Sequence, residues 1–477
     1  MTACCIPAES GAGRHDLVVV GAGSAGFSAA IAAVETGARV ALVGHGTIGG
    51  TCVNIGCVPS KALIRAVGAV HEARRASTRF AGVESAAHIA DWPALMAQKD
   101  ALVAALRQAK YADLLRAYDG ITYIEGRARL VPGGVDAGGQ HLATDRVVLA
   151  TGARPALPDI PGIAAVDPLD STSALELAIL PRSLIVLGGG YVGVELAQTF
   201  ARAGVEVTLV CRSRLLPEAE PEISAALAGY LAEEGVRVLG GLRYERVAPA
   251  APGVALTVTN GGRSETLTAE RLLVAAGRTP NTEGLGLEEA GVALSPDGVI
   301  VVDEHMRTSA QGIYAAGDVT GRDPFVYMAA YGARLAARNA LNCDSQRYDA
   351  RAMPAVVFSD PQAASVGLTE ARARGLGHEV RTSVLTLDHL PRALAARDLR
   401  GLIKLVADGR TGLLLGAHIL APEGADTIQT AAMAIRGGLT VEDLAATIFP
   451  YLTTVEGLKL AALAFDKDVS RLSCCAG

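Results

Sequence analysis

Aromatic residues are scarce in this chain of 477 residues: they make up 4 % of it, with a single tryptophan, Trp92. Large rings therefore cannot fill the interior, and alanine together with 54 glycines must supply much of the apolar half of the composition. Helices and strands packed at short backbone distance are the expected result. No uninterrupted run of about 18 apolar residues occurs, and no basic segment leads into an apolar stretch at the N-terminus. Neither a membrane span nor a secretory signal is expected, and the cytoplasm is the default compartment. There, eight cysteines suit reactive or metal-binding thiols better than a disulfide framework. The formal net charge of −6 has both signs interspersed and no basic stripe, which argues against nucleic acid as a partner.

What is present is a repeated pattern. "HDLVVVGAGSAGFSAAIAAVETGARVALVG" reads as apolar strand, glycine turn, alanine-rich helix ended at Gly37, and second strand; that is a βαβ unit. "RSLIVLGGGYVGVELAQTFARAGVEVTLVCR" repeats it, with its first glycine at 188. The fold expected is α/β with two Rossmann-like dinucleotide-binding domains. The segments divide as a leader over 1–14, the first domain over 15–155, the second over 156–277, a return to the first over 278–349, and a C-terminal α+β domain over 350–477.

Gly21, Gly23 and Gly26 follow the strand "LVVV" and open a helix, and Gly188, Gly190 and Gly193 do the same in the second unit. Such glycines permit a tight turn and close backbone approach, so a pyrophosphate can sit on the unpaired N–H groups and positive dipole end of a helix. The end of each second strand meets the ribose. In the second unit Arg212 and Arg214 stand there, which suits the 2′-phosphate of NADPH; two solvated surface arginines are the competing reading. In the first unit the position is Gly44, where an acidic ribose partner is usual, leaving His45 or a backbone group to compensate.

Directly after the first unit stands "GGTCVNIGCVPSKAL". Cys52 and Cys57 flank a short loop, and Pro59, Ser60, Lys61 and Ala62 read as a helix start. A thiolate near a helix N-terminus and a lysine is expected to have a depressed pKa. Two buried structural cysteines are the alternative.

This stretch resembles the redox-active loop of the FAD-dependent pyridine nucleotide–disulfide oxidoreductases, the family of dihydrolipoamide dehydrogenase and glutathione reductase. The resemblance covers nearly the whole chain from His15 and includes "ATGARP", "GRTPN" and "YAAGDV". It implies FAD in the first cradle, held also through Ala25, Gly50, Thr51, Cys52, Lys61, Thr151, Gly152, Gly277, Arg278, Gly317 and Asp318. It implies that Cys57 faces the flavin and Cys52 meets the substrate, that Lys61 and Glu195 pair beside the flavin, that Tyr191 covers the nicotinamide pocket, and that the C-terminal domain makes a homodimer with active sites at the subunit interface.

One absence then carries weight. Disulfide-reducing members use a histidine paired with a glutamate to move protons; the matching stretch here, "FPYLTTVEGLK", keeps Glu456 but has Tyr451 at the histidine's place, and no histidine follows His418. A phenol, with a reference pKa near ~10, is a poor shuttle at neutral pH. A substrate that thiolates bind without a proton relay fits better, and thiolates select soft metal ions. Hg(II), a two-coordinate ion brought by small thiols, is the substrate expected, with Tyr451 lining its site. Such an ion leaves a thiol pair slowly unless further thiols attack it. Cys474 and Cys475 close the chain as "CCAG", and adjacent cysteines bridge each other only with strain. They read as a relay, and the resemblance to metal-reducing members implies that they pass the ion to Cys52 and Cys57 of the partner subunit. The runner-up is an NADPH-dependent thiol–disulfide reductase of the thioredoxin reductase type. Cys4 and Cys5 read equally as metal collectors or as an incidental pair.

Overall fold

The computed structural model describes residues 13–342 and 344–469. They fall into two compact units: Met1–Ala62, Pro93–Ala156 and Arg278–Asp349 form one, and Leu63–Trp92, Leu157–Gly277 and Ala350–Gly477 the other. Residues 63–92 thus group with the second unit, although the sequence pattern alone attaches them to the first.

The first unit is built on a parallel sheet. β1 (Leu17–Val20) lies between β2 (Val40–Gly44) and the strand Val147–Leu149; β3 (Ile121–Glu125) and Ile313–Ala315 form the edges. β1 and β2 are buried on both faces, as strands of a parallel sheet covered on both sides must be, and both are rich in valine. Side chains of one parity, Leu17, Val19, Val40 and Leu42, pack under α1 (Ser24–Val34). Those of the other, Val18, Val20, Ala41 and Val43, meet Val135, Leu142 and Leu287 on the opposite face. α1 is rich in alanine, and Ala29, Ala30 and Ala33 are fully buried. Short side chains let it lie close against the helix Val326–Leu341, whose Ala333, Ala336 and Ala337 are equally buried.

α2 (Gly50–Ile55) and α3 (Cys57–Arg79) follow β2. The helical stretch 50–79 is the one among the described residues long and apolar enough by composition to cross a bilayer. Its C-terminal half nonetheless holds Arg79 in ion pairs with Glu72 and Asp398, so it serves as a charged packing face in the second unit.

The second unit repeats the scheme with β4 (Ser183–Leu187), α4 (Tyr191–Arg202) and β5 (Glu206–Val210) in a four-stranded parallel sheet. It also holds the C-terminal five-stranded antiparallel sheet, ordered Pro354–Val357, Gln362–Gly367, Leu414–Ala421, Leu402–Asp408 and Val380–Thr386, covered by the helix Gly424–Gly437. Two charge clusters lie inside this unit. Lys404, 2 % exposed, places its ammonium 2.9–3.0 Å from Glu220, Glu222 and Glu370. Arg202 and Arg400 bind Glu234 and Asp360, and Arg400 also binds Asp398.

Candidate active site

The redox loop hangs on the first phosphate turn. Gly49 donates its amide to Ala22 O at 2.9 Å and bridges Gly23, and Gly49 and Gly50 both have positive φ, 97° and 63°. A side chain on Gly50 would stand 2.7 Å from Gly23 Cα, so two glycines are needed where the loop and the turn cross. Cys52 then lies inside α2, Gly56 breaks the helix, and Cys57 is the first residue of α3. The helix therefore starts two residues before the Pro59 signal, which places a thiol at its N-terminus. Asn54 fixes the loop: its amide donates to Ile48 O and Gly50 O, both at 2.9 Å, and its Oδ1 accepts from Arg107 at 3.1 Å.

The two thiols are not equivalent. A hydrogen bond with Cys57, burial and the negative charge of Cys57 push the Cys52 thiol far above the usual range, against a smaller opposing pull from Lys61. The expectation of a depressed pKa for a thiol of this loop does not hold for Cys52. Cys52 is therefore the member of the pair whose thiol is held protonated. Tyr111, a residue with no sequence motif to mark it, senses both sulfurs. Its Oη lies 3.0 Å from Ser24 Oγ, its ring meets Phe27 edge-on at 4.9 Å, and burial raises its phenol against the opposing Ser24 hydrogen bond, with a smaller push from the nearby sulfurs. A π-helical turn, Gln108–Ala112, rotates it into this place; such turns frequently mark functional sites.

The first cradle has the shape of a dinucleotide site. Gly21 has φ 119°, and a Cβ there would collide with Ala150 O; one on Gly26 would collide with Gly21 O. Gly23 caps α1 with no side-chain hydrogen bond, leaving the first amides of the helix for an anion. Gly317 has φ 77°, and a Cβ there would stand 3.2 Å from those of Ala25 and Ala329. Beside it Asp318 is raised by burial, against the opposing charge of Arg278 at 3.6 Å. Arg278 donates to Ala153 O, yet its buried Nε has no acceptor. Thr151 and Asn281 tie the two flanking loops by reciprocal bonds of 2.7 and 2.9 Å, and Asn281 N donates to Gly152 O at 2.9 Å. A partly buried carboxylate, an orphaned guanidinium donor and an uncapped helix end fit FAD, whose ribityl hydroxyls and pyrophosphate would complete them.

In the second cradle, Gly188 (φ 125°) and Gly193 press on the backbone, whereas Gly190 has φ −82° and open space around its Cβ position. That space fits the pyrophosphate of a nicotinamide dinucleotide. Tyr191 opens α4, its phenol raised by burial and then by Glu218. Glu195 is buried and accepts from Phe358 N at 2.9 Å. The arginines divide. Arg214 is turned back on its own loop, donating to Pro217 O and Ala219 O at 2.8 Å each, while Arg212 is exposed. Cys211 fills the strand end beside Gly189, whose Cβ would lie 2.9 Å from that of Cys211.

Gly21, Gly23, Ala25, Gly26, Gly50, Thr51, Cys52, Cys57, Lys61, Thr151, Gly152, Arg278, Gly317 and Asp318 belong to the first unit. Gly188, Gly190, Tyr191, Gly193, Glu195, Arg212, Arg214, Gly277 and Tyr451 belong to the second. Tyr451 is half exposed, on a turn in which Thr453 donates to Pro450 O at 2.7 Å, and Leu452 N donates to the buried Glu456 at 3.2 Å. Burial raises the Glu456 carboxyl. Cys4, Cys5, Cys474 and Cys475 lie outside the described residues.

Residues 15–337 match the family described as pyridine nucleotide-disulphide oxidoreductase, and residues 353–462 its dimerisation domain. Among characterised sequences, a mercuric reductase from Streptomyces lividans is 47 % identical, over 97 % of this chain and 98 % of its own. One from Staphylococcus aureus is 46 % identical over 98 % of this chain and 85 % of its own. Among solved structures, LpdA from Mycobacterium tuberculosis superposes with a TM-score of 0.83 at 31 % identity, covering 94 % of this chain and 98 % of that one. The HOCl-induced flavoprotein disulfide reductase RclA from Escherichia coli, as its Cu(II) complex, gives 0.80 at 31 % identity, covering 94 % and 99 %.

Proposed function

Because the chain belongs to the pyridine nucleotide-disulphide oxidoreductase family, we propose that it is an NADPH-dependent reductase of Hg(II). The observation that carries this reading is the full-length similarity, at 42–47 % identity, to enzymes that are mercuric reductases. The chemistry of the site supports it: a half-buried thiol pair offers two soft ligands, and a tyrosine stands where a proton-shuttling base would serve disulfide exchange.

The balance is Hg(II) + NADPH → Hg(0) + NADP⁺ + H⁺. Bound flavin supplies the route for the electron pair from the nicotinamide to the metal. Gly190 leaves room for the pyrophosphate against the first amides of α4, Arg212 would meet the 2′-phosphate, and Tyr191 would cover the nicotinamide pocket. Asp318 and Arg278 would hold the flavin's polar side chain, and Lys61 and Glu195, by the family resemblance, would set the charge beside its ring. Cys57 opens α3, where the helix favours a thiolate. Cys52, whose thiol is held above its usual range, passes its proton to the thiolate that delivered the metal, so both sulfurs become ligands. Cys474 and Cys475 of the partner subunit bring the ion from small cytoplasmic thiols, and Tyr451 lines its site. The match to the dimerisation domain supports the homodimer this relay requires.

The test is simultaneous measurement of Hg(II)-dependent NADPH oxidation and mercury vapour in excess small thiol. One vapour atom per NADPH, abolished by Cys52→Ala, is the expected result. Turnover with disulfides alone would replace this function with that of a thiol–disulfide reductase, and binding without turnover would leave only sequestration.

A further inference from the structure

The first cradle lacks the acid that a dinucleotide fold places about 20 residues beyond its glycines, at the end of the second strand, to hold a ribose hydroxyl. Gly44 occupies the position. The structure shows what fills the space. A Cβ on Gly44 would run into Tyr123 Oη and would stand 2.8 Å from both Tyr123 Cε2 and Ala22 Cβ. Tyr123 comes from the neighbouring edge strand, where Gly44 and Glu125 are in register. Gly44 O also accepts from Gly126 N at 2.7 Å, which fixes the two strand ends together. Ala22 belongs to the phosphate turn itself. The phenol oxygen thus lies at the end of β2, against the cradle, in the volume that an acidic side chain at position 44 would use.

Two further facts give the hydroxyl a role. Among the described residues it has no hydrogen-bond partner, although the ring packs in the core under α1. Burial, followed by the charge of Glu125, raises its pKa, so it is protonated at neutral pH and can both donate and accept. His45, the other neighbour in sequence, is exposed.

We propose that Tyr123 replaces the missing acid as the positioning residue for the adenosine ribose of FAD, and that Gly44 is glycine in order to admit its hydroxyl. The substitution changes the chemistry of that subsite. A carboxylate accepts from both ribose hydroxyls and carries a charge; a phenol makes one neutral bond, so flavin retention depends less on this point and more on the pyrophosphate and ribityl ends.

The proposal rests on FAD occupying the first cradle, and a parent protein purified without flavin would defeat that premise separately. The test is FAD release on dilution of the full-chain holoenzyme, followed by flavin fluorescence, for FAD and for an FAD whose adenosine ribose lacks its 2′- and 3′-hydroxyls. Tyr123→Phe is expected to weaken FAD roughly 2- to 10-fold, the range of one neutral hydrogen bond, and to leave the deoxy analogue unchanged. Gly44→Glu alone should weaken FAD through collision, and Gly44→Glu with Tyr123→Ala should recover it, because the acid then has the space. Equal losses for both flavins in Tyr123→Phe, no loss at all, or a loss that instead follows His45→Ala would overturn the assignment.

Discussion

The two kinds of glycine in the second cradle should separate experimentally into ligand-facing and packing positions. Gly190 has φ −82° and ψ −172°, an extended conformation open to β-branched residues, and nothing lies within 4 Å of its Cβ position. Gly190→Val therefore adds atoms only to the space reserved for the dinucleotide. Its effect on folding should stay within about 0.5 kcal/mol. Its effect on NADPH should be large, because two isopropyl carbons would hold the pyrophosphate off the amides of α4. Losing two hydrogen bonds to a charged group, each worth about 1.5–3 kcal/mol, weakens binding on the order of 10²–10⁴-fold. Gly193→Ala should behave oppositely. Its Cβ would be driven into Gly188 O, so the turn must move, at about 1–3 kcal/mol, and the melting temperature should fall by several degrees. Thermal unfolding gives the first quantity, and flavin reduction by NADPH in a stopped-flow instrument gives the second. A Gly190→Val protein that binds NADPH normally, or that melts as early as Gly193→Ala, refutes the division.

Further outcomes follow from the same geometry. In Cys52→Ala, Cys57 loses the thiol hydrogen bond from Cys52, worth about 1.5–3 kcal/mol to a charged acceptor; with Cys57 as the flavin-facing thiol proposed above, its charge-transfer absorbance should titrate about 1–2 pH units higher, and an unchanged titration would reject the hydrogen bond. Asp398→Asn removes one partner from a buried cluster, and chemical denaturation should report a loss of about 3–5 kcal/mol. Burial raises the Asp398 carboxyl, but Arg400 and Arg79 outweigh it and hold it below the usual range. A depressed folded pKa contributes stability above the unfolded value, near ~3.9, and loses it as pH falls further. The gap between parent and variant should therefore close below about pH 4, and a gap that persists there would rule out this linkage. Arg212→Ala should raise KM for NADPH and not for NADH, whereas Arg214→Ala, whose guanidinium is committed to two carbonyls, should act through its loop on both; the reverse pattern would exchange their roles. Tyr451→Phe should slow turnover with Hg(II), and an unaltered rate would show that its hydroxyl takes no part in the chemistry.

The glycine cradles were legible in the sequence because their geometry is dictated locally: at Gly21 and Gly188 positive φ and backbone collisions admit no side chain. The cysteine pair was legible for the same reason, since Gly49, Gly50 and Gly56 punctuate its loop. Tyr111 and Tyr123 were not. The first is aimed by a π turn that no residue type announces, and the second acts from a neighbouring strand, more than seventy residues from the position whose function it takes. Arg214 resembled a phosphate ligand until the carbonyls of Pro217 and Ala219 were seen to hold it. The raised thiol of Cys52 arises first from its contact with Cys57, which spacing alone does not reveal.

The pairing of α1 with the helix Val326–Leu341 bears on how the protein is made. α1 leaves the ribosome early, with Ala29, Ala30 and Ala33 facing a partner that lies about 300 residues downstream. At roughly 5–20 residues per second, that partner is synthesised on the order of 15–60 seconds later, after the sheet strands Ser183–Leu187, Glu206–Val210 and Arg271–Val274 of the other unit are already out. The nucleotide half thus has all its parallel strands in hand while the flavin half still waits for Ile313–Ala315. A nascent chain stalled between residues 275 and 313 would carry one parallel sheet with its strands complete, still lacking the Ala350–Gly477 part of its unit, and another with an open sheet edge and an uncovered helix.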